Sequence, residues 1–206
     1  MLRLKKVKLD NWRNFGSAEL TLDERLFVVG ANASGKSNLL DVFRFLKDVT
    51  LIGLLKSVEK RGGIKKLRFL NARNQNSISI LVTLHDEKGN SSEGDERVYH
   101  LVFNTTSQFG SVPLNISVET VTLNGLYLLD RKFSDEHEDY TSRQFTHLEH
   151  PTTNAKFRIL YEYFKEISYV NIIPQLIRES GSFIPSYAKV SPSISKSIST
   201  FCPIQR

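Results

Sequence analysis

Residues Gly30-Ala31-Asn32-Ala33-Ser34-Gly35-Lys36-Ser37 follow the spacing GxxxxGK[ST], and no other stretch restricts the fold as tightly. A glycine-rich turn lets consecutive backbone N–H groups point inward at phosphate oxygens. A helix that starts on the same turn adds its partial positive charge. Lys36 then reaches the outer phosphates as a point charge, and the Ser37 hydroxyl ligates Mg²⁺. The motif carries this meaning only between a strand and a helix, and both signals are present. Leu26-Phe27-Val28-Val29 is a continuous apolar run, the pattern of a parallel strand buried on both faces. After the loop, Leu39, Val42 or Phe43, Leu46 and Val49 recur at helical spacing, which predicts a helix from near Gly35 to near Val49.

The 206 residues suffice for one domain with a sizeable core. No apolar run reaches the ~18–20 residues of a membrane span, and the N-terminus has no apolar signal core. Cys202 is the single cysteine, so no internal disulfide forms and no thiolate cluster is offered to a metal. These features fit a cytoplasmic chain. The net charge is +6, unevenly placed. Lys56, Lys60, Arg61, Lys65, Lys66, Arg68 and Arg73 crowd one stretch with only Glu59 among them. The cluster reads as a nucleic-acid-facing surface, as a solvated face, or as partners for acids elsewhere.

Residues 2–9 alternate apolar and basic, predicting a half-buried antiparallel strand, and Asp10–Gly16 reads as a turn. Glu19–Leu22 is a second strand. A short helix before Gly62-Gly63 and a loop after it follow from composition. Ile78–Leu84 and Arg97–Asn104 predict a hairpin across a polar turn. Ile116–Leu123 and Tyr127–Arg131 predict another, turning on Asn124-Gly125. His137, His147 and His150 lack a matching ligand set and read as surface histidines. Ala155–Ile167 is amphipathic, with Phe157, Leu160, Phe164 and Ile167 on one face. Tyr169–Ile173 reads as a strand. Residues 188–206, with serine at nearly every second position, read as a disordered tail beyond a lobe at 1–187.

Two stretches resemble the RecF/SMC-like, ABC-type branch of the prokaryotic AAA-family ATPases. Asn11-Trp12-Arg13-Asn14-Phe15 is similar to that family's N-(F/W)-(R/K)-N-(F/Y) turn. Val28–Asp41 is similar to its VVGxNxSGKSNLLD stretch. Glu59–Arg68 and Tyr169–Arg178 look like a subgroup found in prokaryotic operons, anti-phage defence systems included, and the resemblance covers about residues 1–186. It implies the N-terminal lobe of an α/β P-loop NTPase, with a mixed parallel and antiparallel sheet and flanking helices. It implies ATP and Mg²⁺ as cofactors. Gly30, Asn32, Ala33, Ser34, Gly35, Lys36, Ser37 and Asn38 would form the phosphate site, with Ser37 on the metal. Arg13 and Asn14 would lie where the first turn approaches the nucleotide. Gln175 is comparable to the family's γ-phosphate-sensing glutamine.

Other hallmarks of the family are missing from the chain. No run of four apolar residues precedes an acidic pair, as the Walker B strand would, and no Ser-Gly-Gly signature is present. The resemblance therefore implies the first lobe alone, in a natural short protein or a truncated one, with no catalytic base of its own. Three functions remain open. The first is Mg-ATP binding, with hydrolysis completed by another chain. The second is a non-catalytic module pairing as a homodimer, with a full-length ATPase or with a nuclease. The third is a nucleic-acid-binding fragment using Lys60, Arg61, Lys65, Lys66 and Arg68.

Overall fold

A computed structural model describes residues 2–71, 76–87, 94–105, 114–132 and 141–169. Strand β1 (Leu2–Trp12) turns through Arg13-Asn14 into β2 (Phe15–Thr21). Helix α1 (Lys36–Ile52) follows the glycine loop, then the short helices α2 (Leu54–Glu59) and α3 (Ile64–Leu67). Strands β3 (Ile78–Asp86), β4 (Asp95–Thr105), β5 (Leu114–Leu123) and β6 (Leu126–Lys132) come next, and helix α4 (Arg158–Glu166) comes last. All belong to the unit Met1–Ser168. No helix of the described residues is long and apolar enough to cross a membrane.

The strands form one sheet in the order β2-β1-β3-β4-β5-β6, and every neighbouring pair is antiparallel. The alternation read in the sequence sets the register. Val7 and Leu9 of β1, Ile78, Ile80, Val82 and Leu84 of β3, and Tyr99, Leu101 and Phe103 of β4 all turn inward and are buried. Helix α1 lays Leu39, Val42, Phe45, Leu46 and Val49 on that face. Phe45 is the centre of the contact, with ring centroids 5.2 Å from Trp12 and 5.7 Å from Phe103. Helix α4 adds Leu160 and Phe164, and Phe164 meets Tyr99 at 5.9 Å. Asn124 and Gly125 both take positive φ, 50° and 81°, as the hairpin between β5 and β6 requires.

Two expectations about the sheet are corrected. The expected mixed sheet is entirely antiparallel among the described residues. Leu26–Val29 is not one of its strands. Those residues are irregular and exposed by 45%, 70%, 37% and 91% in order. A strand buried on both faces needs a neighbour on each side. The nearest edge strand, β2, ends at Thr21, where the Leu22 N–H turns back to the Lys5 carbonyl at 2.7 Å. The segment after Gly63, expected as a loop, is helix α3. Residues 170–206, with the strand read from Tyr169 to Ile173, Gln175 and the serine-rich tail, lie outside the described residues, as do Arg73 and His137.

The segment 141–157 is fastened by two carboxylates, one to the sheet and one to α2. Glu119, fully buried on β5, accepts the backbone N–H groups of His147 and Leu148 at 2.8 and 3.2 Å, an Arg131 guanidinium at 2.6 Å and the Tyr99 hydroxyl at 3.3 Å. Burial pushes its pKa up, only partly offset by those donors. Glu149 accepts the N–H groups of Leu54 and Thr146, both at 2.8 Å. Replacing Glu119 by leucine removes the acceptor for all four donors and leaves Arg131 without its buried counter-charge. The expected loss is about 3–5 kcal/mol, read from the denaturant midpoint. His147 gives a separate signal. Burial, with Arg131 and His150 nearby, lowers its pKa to about 4. The unfolded chain therefore takes up a proton near pH 6.5 that the folded chain refuses until about pH 4. Stability present above pH 6.5 is lost as the pH falls through that window. His147→Asn should remove on the order of 1–2 kcal/mol of the fall between pH 7 and 4.5 in paired melts.

Candidate functional site

The loop from Gly30 to Gly35 leads directly into α1. Its turn closes with the Ser34 N–H on the Ala31 carbonyl at 3.3 Å, and Ala33 takes φ +63°. Gly35 is the N-cap residue at φ +102°, and no side chain caps the helix. The first backbone N–H groups of a helix have no intrahelical acceptor, and those of α1 receive no side-chain cap. Lys36 places its ammonium in the loop, 2.6 Å from the carbonyls of Gly30 and Ala31 and 3.5 Å from Ser34 Oγ. Ser37 is exposed on the first turn of α1, and Asn32 and Ala33 are exposed on the loop.

The β1–β2 turn grips this loop and the start of α1. The buried Trp12 donates its indole N–H to the Asn38 carbonyl at 2.9 Å. Asn14 donates to the Ser34 carbonyl at 3.4 Å and accepts from the Asn38 amide at 2.9 Å. Arg13 donates Nε and a terminal nitrogen to Asp41 Oδ2 at 3.0 and 2.6 Å. The structure thus brings Arg13 and Asn14 to the glycine loop and the start of α1. Asn14 touches the loop, whereas the head of Arg13 is turned onto α1.

The basic segment divides in two. Arg61 is almost fully buried and Lys60 is exposed, and both are paired with α1. Arg61 reaches Asp41 at 3.1 Å and Asp48 at 2.8 Å, and Lys60 reaches Asp48 at 3.0 Å. These bonds hold the Asp48 carboxyl below its ordinary pKa even though burial opposes them. Lys65 and Lys66 are exposed and make no ion pair among the described residues, and Arg68 donates to Asn76 at 2.7 Å. A hollow of about 570 Å³ beside the loop is lined by Arg13, Asn14, Asn38, Lys65, Lys66 and Arg68, with Phe69 and Leu70, and by no acid among the described residues. Sequence reasoning passed over Asp41 and Asp48. Both lie on α1 seven residues apart, which puts them on one helix face, and that spacing was the available signal. Among the described residues no group of three or more His, Cys, Asp and Glu is arranged to hold a metal ion.

Residues 26–166, from the glycine loop through β3 to β6 and α4, match the family described as "AAA domain, putative AbiEii toxin, Type IV TA system". The chain belongs to this AAA-domain family. No curated protein matches this AAA domain. Solved structures similar to it include three ATPase chains. One is an SMC ATPase described for ATP-driven dimerization and DNA-stimulated activation, 20% identical, covering 61% of this chain and 72% of that one at a TM-score of 0.40. The others are the recombination mediator RecF with ATP (19% identical, 62% of this chain, 28% of that one, TM-score 0.37) and RecF with an ATP analogue (20%, 62%, 28%, 0.38). The AAA domain spans little more than a quarter of the RecF chains.

Gly35 tests the grip. A Cβ there would run into the Asn14 amide, and φ +102° is closed to side chains besides. Gly35→Ala should cost about 1–3 kcal/mol. In an Asn14→Ala background the steric part should vanish and the backbone part remain, measured as two Tm differences.

Proposed function

We propose that this AAA domain binds Mg-ATP through Gly30–Ser37. The carrying observation is the Lys36 ammonium held inside a glycine loop that opens onto the uncapped N-terminus of α1. In this reading Gly30, Asn32, Ala33, Ser34, Gly35, Lys36 and Asn38 surround the phosphates, with Arg13 and Asn14 beside them. The exposed Ser37 hydroxyl fits the Mg²⁺ ligand, since it stands on the first turn of α1 and bonds nothing among the described residues. The metal would neutralise charge on the outer phosphates. Hydrolysis needs a positioned water and an acid to orient it, and no carboxylate of the described residues bonds the loop. A second chain, whether a copy of this one, a longer ATPase or a nuclease, would supply that group. A role in DNA repair or anti-phage defence belongs to the same reading.

Mg-ATP at 100 times its dissociation constant stabilises the folded chain by ~2.7 kcal/mol. For a chain of this size the melting temperature should rise by roughly 5–10 °C. Lys36→Ala should abolish the rise, and a rise unchanged in that variant would refute the assignment.

A second reading, DNA binding, is favoured by one observation: the acid-free hollow with Lys65, Lys66 and Arg68 beside the loop. Duplex affinity should then fall with salt at a slope of roughly −0.9 per phosphate contacted, and replacing Lys65 and Lys66 by glutamine should flatten it by up to ~2 units. Lys60 and Arg61, already committed to Asp41 and Asp48, should contribute little to that slope.

A further inference from the structure

Asp41 holds two guanidinium groups from different parts of the chain. Arg13 comes from the turn that grips the phosphate loop, and Arg61 from the segment after α2. Among the described residues Asp41 is the one carboxylate that the Arg13 head reaches, at 2.6 and 3.0 Å. Arg61 is anchored far more heavily. Its guanidinium is 6% exposed, bonds Asp48 and the Ser57 carbonyl as well as Asp41, and lies over the Phe45 ring at 5.2 Å.

The two arginines are therefore not equivalent. Arg61 is fixed by the core, whereas the Arg13 head is bonded, among the described residues, to Asp41 alone and lines the hollow next to Asn14 and Asn38. A guanidinium fork accepts a phosphate in the same bidentate manner as a carboxylate. Removing one partner of a half-buried ion pair is normally costly because the other charge is left uncompensated. Here it would not be, because Arg61 keeps Asp41 paired when Arg13 leaves.

We propose that Asp41 is a positioning residue that competes with bound phosphate for Arg13, so that the Asp41–Arg61 pair sets how readily Arg13 is released to the nucleotide. The proposal rests on the nucleotide-binding reading and adds to it a named exchange of partners. Asp41 touches no phosphate itself and acts through Arg13.

The test is a double-mutant cycle on Mg-ATP affinity, joined to a spectroscopic reading of the unaltered chain. Asp41→Asn should tighten Mg-ATP by about fivefold or more, Arg13→Gln should weaken it, and the gain from Asp41→Asn should disappear in the double variant. In the parent chain, saturating Mg-ATP should move the Arg13 Nε–H resonance and leave that of Arg61 in place. This second measurement needs no altered Asp41 and stands if Asp41→Asn fails to fold. An unmoved Arg13 resonance at saturation overturns the proposal, as does an Asp41→Asn effect of the same size with and without Arg13. Either result, obtained with Lys36-dependent binding intact, leaves the nucleotide reading standing. Absence of Lys36-dependent binding in the parent chain overturns both.

Discussion

The grip of the β1–β2 turn on the first turns of α1 positions everything else at the site. The turn is held in an unfavourable backbone conformation, with Asn11 at φ +59° and Arg13 at φ +50°. Each such residue costs on the order of 1–3 kcal/mol and persists only where its surroundings over-determine it. They do so here. The Asn11 amide donates to the Ser77 carbonyl and its side-chain oxygen takes the Phe69 N–H, both at 2.9 Å. The Arg13 N–H is taken by the Leu67 carbonyl. Trp12 is wholly buried and packs on Phe45. The turn therefore fixes the glycine loop, α3 and the start of β3 relative to one another.

Much of this was legible in the sequence, and for a definite reason. Period-two and period-3.6 patterns report burial, so β1, β3 to β6, α1 and α4 could be read from Val7 and Leu9, Ile78 to Leu84, and Leu39 to Val49. The loop at Gly30–Gly35 was legible because its positive φ and close approach require glycine at one fixed place. What could not be read were pairings between side chains distant in the chain. Nothing local tells Asp41 that its partners are Arg13 and Arg61, and a run of basic residues looks the same whether it faces solvent or acids on a neighbouring helix. The strand at Leu26–Val29 failed for a related reason, since apolar composition states a demand for neighbours without saying which strands meet it.

Charge at the site is separated rather than merely positive. Asp41 and Asp48 absorb Arg13, Lys60 and Arg61 along one face of α1, while Lys65 and Lys66 keep their charge on the surface. Arginine suits the absorbed position, since Arg61 makes bonds in several directions at once and still lays a flat face on Phe45, which a lysine could not do. The segment that looks uniformly basic in the sequence therefore has a structural half, which ties α2 to α1, and an exposed half beside the loop.

The loop itself is held unevenly. On its C-terminal side, Ser34 and Asn38 are bonded by Asn14 and Trp12, and Gly35 begins a helix whose next turns are buried against the sheet. On its N-terminal side, Leu26–Val29 makes no strand pairing and is exposed. The bonds from the Lys36 ammonium to the Gly30 and Ala31 carbonyls are then the internal fasteners of the less supported half. On the proposal that the loop binds a nucleotide, a phosphate that drew the ammonium away would take those fasteners with it, and the loop would have to recover them through its own N–H groups on the phosphate oxygens. Part of what binding gained in charge neutralisation would then be spent on holding Gly30 and Ala31 in place.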